Sequence, residues 1–225
     1  MGGDRRQGRL SEVEPWHIGL YSVADAARYS TIPMSTVHRW IRRGPGVAHE
    51  PLVSFDEFIT LLFVRRLRDL RVRLREISRA EEDLRARTQH RHPFAHETLW
   101  VAGRDVMVRV PESADTFLSA NRRGQMALPG IVETRRVELS NLVADVRGEL
   151  VYVSGRVGMW RPMERIAARP AVQFGLTCIE GTRLTTQVLS EAASAGDQPR
   201  ELARLFGVTE SDVNRAIAWE HRLAA

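Results

Sequence analysis

YSVADAARYSTIPMSTVHRWIRRG, residues 21–44, contains two short helical patterns separated by four residues. Ser22 with Asp25 three positions on fits a capping box, in which each side chain satisfies an amide of the other's turn, so a helix is predicted from Val23 to about Tyr29. A second helix begins near Met34 or Ser35. Its Val37, Trp40 and Ile41 fall at i, i+3 and i+4 and form an inward stripe, which leaves Ser35, Thr36, His38, Arg39, Arg42 and Arg43 to face outward. Ala26 and Ala27 are small enough for a close crossing, and the pair reads as a helix-turn-helix. No acid occurs between Ser35 and Gly44, although 27% of the chain is charged and the two signs nearly balance. Such a face suits DNA: arginines take phosphates or pair with guanine edges, while hydroxyls and imidazole position the helix. The competing reading is an ordinary solvated face, and the sequence does not separate base readers from phosphate contacts.

Beyond this pair, Ser54 followed by Phe55, Asp56 and Glu57 starts a third helix with acids in its first turn. Phe58, Ile59, Leu62, Phe63, Leu67 and Leu70 give it an apolar face broader than the helix pair needs, so an interface in a homodimer is expected there. Leu74, Ile77, Ala80 and Leu84 carry a fourth helix to about Arg87. His90, His92 and His96 form an H-x-H-x3-H group that reads as a polar linker, since neither a cysteine nor a well-placed carboxylate joins it to make a metal site.

The 225 residues, 43% of them hydrophobic, suffice for two or three small domains. All 33 basic residues counted as lysine plus arginine are arginine. Residues 1–92 hold 17 arginines against 12 acids, residues 93–170 hold 11 against 9, and residues 171–225 hold 5 against 7, so a nucleic-acid surface is expected at the N-terminal end. FITLLFV at 58–64, the most apolar run, stops at Arg65 and Arg66, far short of the roughly 20 residues a bilayer requires. The first ten residues lack a signal-peptide core, and the single cysteine, Cys178, excludes an intrachain disulfide framework, so a cytoplasmic protein is expected.

In the middle, TLWVAGRDVMVRV at 98–110 alternates as a β-hairpin, residues 131–146 look partly helical, and ELVYVSGRVGMWRP is strand-like around a Ser-Gly turn. No Gly-rich phosphate loop, nucleophile elbow or paired-carboxylate motif occurs there, so neither catalysis nor a cofactor is expected. Near the C-terminus, Pro199 suits a first helical position, Leu202, Ala203, Leu205 and Phe206 form a buried face, and Gly207 ends the helix. Thr209 with Asp212 opens a last helix that turns Val213, Ala216 and Ile217 inward. It shows Glu210, Ser211, Asp212 and Asn214 outward, with Arg215 and Arg222 against Glu220. This second helix pair has an acidic face, which phosphate disfavours, so it suits protein rather than DNA.

These elements divide the chain into a flexible tail (1–20), a helix-turn-helix DNA-binding domain (21–92), a small α+β middle domain (93–170) and a C-terminal helical domain (171–225). The expected class is mainly α with a small α+β middle part.

Residues 21–44 resemble the MerR-like and excisionase-like DNA-binding families in the small residues of the first helix, the Ser-Thr start of the second and its Arg-Trp pair. Thr31 departs from them, standing where these families often place glycine. FGLTCIEGTRLTTQVLSEAASAGDQPRELARLFGVTESDVNRAIAWE, residues 174–220, resembles the small domain of unknown function of VapB-like antitoxins in Gly181 to Arg183, Gly196, Val208 and Thr209. Thr177 stands where that family usually has proline. The resemblance implies an antitoxin that inhibits a PIN-like ribonuclease toxin from an adjacent gene and represses its own operon by binding operator DNA as a homodimer. It makes Arg183 a candidate for the toxin's acidic pocket, beside Glu210 and Asn214 as toxin-facing residues. The alternative is a MerR-like ligand-responsive regulator without a toxin partner.

Overall fold

The computed structural model describes residues 16–43, 52–96, 99–102, 105–109, 117–120, 125–126, 137–138, 141–143 and 148–224. Among them helices occupy both ends of the chain and strands the middle, as the expected class requires. Strand β1 (Gly19–Ser22) leads into helix α1 (Val23–Ser30), whose capping box of Ser22 and Asp25 is present as predicted. Helix α2 (Met34–Arg43) follows. Between the two, Thr31 adopts the left-handed conformation (φ 54°, ψ 36°), and its N–H reaches the carbonyls of Ala27 and Arg28. The turn usually assigned to glycine is therefore kept by a β-branched residue. Ile32 then points back under the pair, where it is buried with Ala26 and Val37.

Strand β2 (Leu52–Ser54) pairs antiparallel with β1, a ladder that four and three residues are too short to announce in sequence. Ser54 and Glu57 cap helix α3 (Phe55–Asp69) reciprocally. Phe55, Phe58, Ile59, Leu62, Phe63 and Leu67 of α3 are all fully buried within the chain. That apolar surplus is consumed by the protein's own core, so it no longer argues for an interface between copies. Helix α4 (Leu74–Thr88) ends at the left-handed Gln89, and a short 3-10 helix (Pro93–Ala95) packs against α3.

Three sheets are described. Besides β1–β2, a five-stranded sheet has the order β6-β5-β4-β3-β7, built from β3 (Leu99–Ala102), β4 (Asp105–Arg109), β5 (Phe117–Ser119), β6 (Gln125–Met126) and β7 (Val137–Glu138). The expected hairpin is β3–β4, closed by the pairing of Ala102 with Asp105. Within 131–146, Val137 and Glu138 are strand rather than helix, held by pairing with β3, while residues 141–143 are helical. The four-stranded sheet runs β11-β10-β9-β8, from β8 (Glu149–Val153), β9 (Arg156–Met163), β10 (Ile166–Ala168) and β11 (Thr177–Ile179). Ser154 and Gly155, with φ of 52° and 80°, form the two-residue turn between β8 and β9. Helices α5 (Thr186–Ser194), α6 (Pro199–Phe206) and α7 (Glu210–Ala224) close the chain.

One core joins these parts. Trp160 of β9 meets Phe58 of α3 at 5.0 Å between ring centroids, Tyr29 of α1 at 5.9 Å and Trp219 of α7 at 5.8 Å. Tyr21 donates its hydroxyl to the carbonyl of Gly175, 2.8 Å away. A side chain at Gly175 would collide with that phenol, since a Cβ there lies 2.5 Å from the Tyr21 oxygen.

The first turn of α3 carries an internal charge cluster. Asp56 is fully buried, and its Oδ2 lies 2.5 Å from Arg156 Nη2, 3.4 Å from His17 Nδ1 and 3.6 Å from His96 Nε2. Burial pushes the Asp56 carboxyl up, but hydrogen bonds from His96 and Arg156 outweigh it and hold the group below its ordinary value. His92 is buried too, 4.0 Å from Glu57. His90 is exposed as a polar linker would be, but the stretch from His92 to His96 is not solvated. It is packed against α3 because Pro93, Phe94 and Ala95 bury beside it. Among the described residues no group of three or more histidine, cysteine, aspartate or glutamate side chains is arranged to hold a metal ion. Above this cluster the chain around Trp16, the segment after α4 and the β8–β9 turn enclose a cleft of about 580 Å³.

Thr31→Gly removes the crowding of a side chain in the left-handed region and should raise unfolding stability by about 1 kcal/mol in chemical denaturation. Burial lowers the His92 imidazole from the usual 6.5 to about 4, so the unfolded chain takes up the proton before the folded one does. Stability from this group is complete above about pH 6.5 and is lost as pH falls to about 4, in total on the order of 3 kcal/mol. His92→Asn should flatten that part of the stability–pH curve.

Candidate functional site

Helix α2 presents its first turn to solvent. Ser35 and His38 are exposed, Thr36 is half-buried, and Met34 is 52% exposed, while Val37 is fully buried on the opposite side. The helical backbone continues to Arg43, but the side chains of Arg39, Trp40, Ile41, Arg42 and Arg43 lie outside the described residues. α2 has no acid in its first turn. The one acid nearby on α1, Asp25, is turned to Ser22 and Arg28. Arg28 also reaches Glu220 of α7, with 3.5 Å between Nη1 and Oε2.

The C-terminal helices depart from the sequence reading in three places. Leu202 and Ala203 are buried as expected, but Leu205 is 75% exposed and Phe206 40% exposed. The crossing of α6 with α7 is filled by the first two, and the last turn of α6 carries the others into solvent before the left-handed Gly207 stops the helix. Asp212 does not face outward. It is buried, accepts from Arg165 Nε at 3.1 Å and Nη2 at 3.3 Å, and is held below the usual carboxylate range chiefly by those bonds. Its amide is capped by Thr209 as predicted. Glu220 is not taken by Arg215 or Arg222. It bonds Thr186, with 2.5 Å between Thr186 Oγ1 and its Oε1, and pairs with Arg28, while Arg215 reaches Glu164 at 3.0 Å. Neither partner of Glu220 was readable locally, because both lie more than thirty residues away in the chain.

Glu210 and Asn214 are exposed on the first turns of α7. Arg183 is exposed in a tight turn where Thr182 N–H bonds Ile179 at 3.0 Å, Ile179 N–H bonds Leu184 at 3.0 Å and Gly181 has φ of 85°. Gln173 donates to the Arg183 carbonyl at 2.9 Å, which fixes the backbone and leaves the guanidinium outward. Thr177 serves a purpose proline could not. Its buried hydroxyl accepts from Trp219 Nε1 at 3.2 Å and lies 2.7 Å from the Thr186 hydroxyl, so it ties α7 and α5 to β11. Cys178 is buried, and burial raises its thiol to about 11, which makes it a poor nucleophile.

Residues 166–219 match the family model described as a protein of unknown function, DUF433. No curated protein matches the chain. The fold is similar to the crystal structure of Rv2018 from Mycobacterium tuberculosis, with a TM-score of 0.63 and 14% identity over 90% of this chain and 99% of that one. At this identity the likeness is one of fold. Among the described residues no helix is long and apolar enough to cross a membrane.

The exposed pair on α6 makes a direct contrast measurable. Leu205→Asp should change unfolding stability by no more than about 0.5 kcal/mol, whereas Leu202→Ala should cost about 2–4 kcal/mol in the same denaturation experiment.

Proposed function

We propose that this chain is the antitoxin of a toxin–antitoxin module, reading operator DNA through the helix-turn-helix of α1 and α2 and holding a PIN-like ribonuclease toxin at its C-terminal surface. The observation that carries the reading is the contrast between the two helix pairs. α2 opens on Ser35 and His38 without an acid, whereas α6 and α7 expose Leu205, Phe206 and Glu210. The first face suits a polyanion and the second an apolar, mixed-charge protein partner. The family match at 166–219 covers the same segment that resembles VapB-like antitoxins, and it supports the assignment of that surface. A homodimer suits paired operator half-sites. Arg183, on a rigid turn with an outward guanidinium, is the candidate for a carboxylate-lined nuclease pocket, with Glu210 and Asn214 beside the apolar pair as further contacts. A MerR-like regulator that answers to a small ligand is the second reading, favoured by the cleft above Asp56.

In an operator-binding titration at several salt concentrations, replacing Arg39 and Arg42 with alanine should weaken binding and lower the salt slope by about one for each phosphate no longer neutralised. Unchanged affinity and slope would remove DNA reading from α2. Copurification with the product of the adjacent gene tests the partner: the wild type should retain a ribonuclease, Leu205→Asp should release it, and Arg183→Ala should restore RNA cleavage in the complex. A neighbouring gene without a nuclease product would leave the ligand-responsive reading in its place.

A further inference from the structure

Resting on the antitoxin reading, we propose that the turn at Gln173–Gly175 holds Phe174 out as an aromatic anchor for the toxin, next to Arg183. Three successive residues there are left-handed: Gln173 at φ 46°, Phe174 at φ 54° and ψ 36°, and Gly175 at φ 78°. Glycine takes this region freely, but a residue with a side chain is crowded in it, so such residues occur singly rather than in runs. The surrounding structure enforces the conformation. Gly175 N–H bonds the Val172 carbonyl at 3.0 Å, Leu176 N–H bonds that of Gln173 at 3.1 Å, and the Gly175 carbonyl accepts the Tyr21 hydroxyl at 2.8 Å. The Gln173 side chain donates to the Arg183 carbonyl at 2.9 Å and ties this turn to the next.

The outcome of this strain is exposure. Phe174 is 75% exposed, as open to water as Leu205, so its ring adds little to the core. A crowded backbone and an apolar ring in water are two unfavourable features kept at one residue, and both are accounted for when a partner covers the ring. Strained backbone gathers at binding sites, and aromatic and arginine side chains dominate the energetics of protein interfaces. The charge around the ring states the chemistry of the partner. Between Arg169 and Ser190 the sequence holds one acid, Glu180. Its carboxylate is taken by Arg161, at 2.9 Å from Nε and 2.6 Å from Nη2, and by Arg169 at 3.6 Å. The exposed Arg183 has no ion pair among the described residues. A free cation beside an exposed ring, with the local acid already neutralised, fits an apolar socket edged by carboxylates, which is the chemistry of the nuclease pocket in the antitoxin reading.

Titration calorimetry of the full chain with the purified ribonuclease product of the adjacent gene, alongside chemical denaturation of the free chain, tests the anchor. Phe174→Asn supplies a residue that accepts the left-handed backbone, so its denaturation midpoint should equal or exceed that of the wild type while its affinity for the nuclease falls about thirtyfold. Phe174→Tyr, which keeps the ring, should stay within about threefold of the wild type. Arg183→Glu should weaken binding about tenfold more than Arg183→Ala, because it sets like charges against the socket. A nuclease bound equally by the wild type and Phe174→Asn would overturn the anchor and leave the antitoxin reading standing, whereas a wild type that binds no nuclease would remove both. Equal affinities of Arg183→Ala and Arg183→Glu would overturn the carboxylate edge of the socket. A lowered midpoint in Phe174→Asn would make the ring structural, and a wild-type dimer that Phe174→Asn splits in sedimentation would give the face to a second copy; either result would overturn the proposal.

Discussion

The packing of Trp160 against Phe58, Tyr29 and Trp219 is the contact on which the rest of the structure depends. Each ring belongs to a different element: the central strand β9, the third helix, the first helix and the last helix. Large aromatic surfaces at 5.0 to 5.9 Å supply burial, and the pairs of Trp160 with Phe58 and Trp219 add the preferred edge-on geometry. The polar ends of the cluster are satisfied around it, Trp219 by Thr177 and Tyr21 by the carbonyl of Gly175. The N-terminal helix pair and the C-terminal helices therefore share one interior, and the Arg28–Glu220 pair follows from that proximity.

Local structure was legible where a few adjacent residues decide it. Ser22 with Asp25, Ser54 with Glu57, Pro199 and Gly207 mark helix ends by backbone hydrogen bonding, and each lies where the pattern puts it. The Ser154–Gly155 turn is equally local. Long-range partners were not legible. Periodicity assigns Leu205 and Phe206 to a buried face because it knows only the helix, whereas the length of the crossing with α7 decides which turns are covered. Asp212 reads as outward until Arg165, forty-seven residues earlier in the chain, takes it. His92 and His96 look like linker polarity until Glu57 and Asp56, more than thirty residues before them, are folded against them.

The candidate surfaces divide in the same way. The acid-free start of α2 is a property of consecutive residues, and it survives in the exposed Ser35 and His38. The cleft is the opposite case, since Trp16, Arg91 and Arg156 come from three parts of the chain and no spacing rule connects them. Its floor is a buried ion pair, and such pairs are costly to desolvate and strongly destabilising to break singly. That makes the shape of the cleft a fixed consequence of the fold rather than an accident of surface side chains.

Thr177 and Gly175 give the C-terminal segment a further significance. A segment that matches a family of its own looks like a cassette, ready to be exchanged between proteins. Here its glycine accommodates the phenol of Tyr21, and its threonine sets the indole of Trp219 against Tyr29. A graft of the matching segment from another protein, with proline in place of Thr177 or a side chain in place of Gly175, would bring the right helices and the wrong seam. The packing thus makes this segment fit only a host that offers the matching seam, a phenol at Tyr21 and a ring at Tyr29.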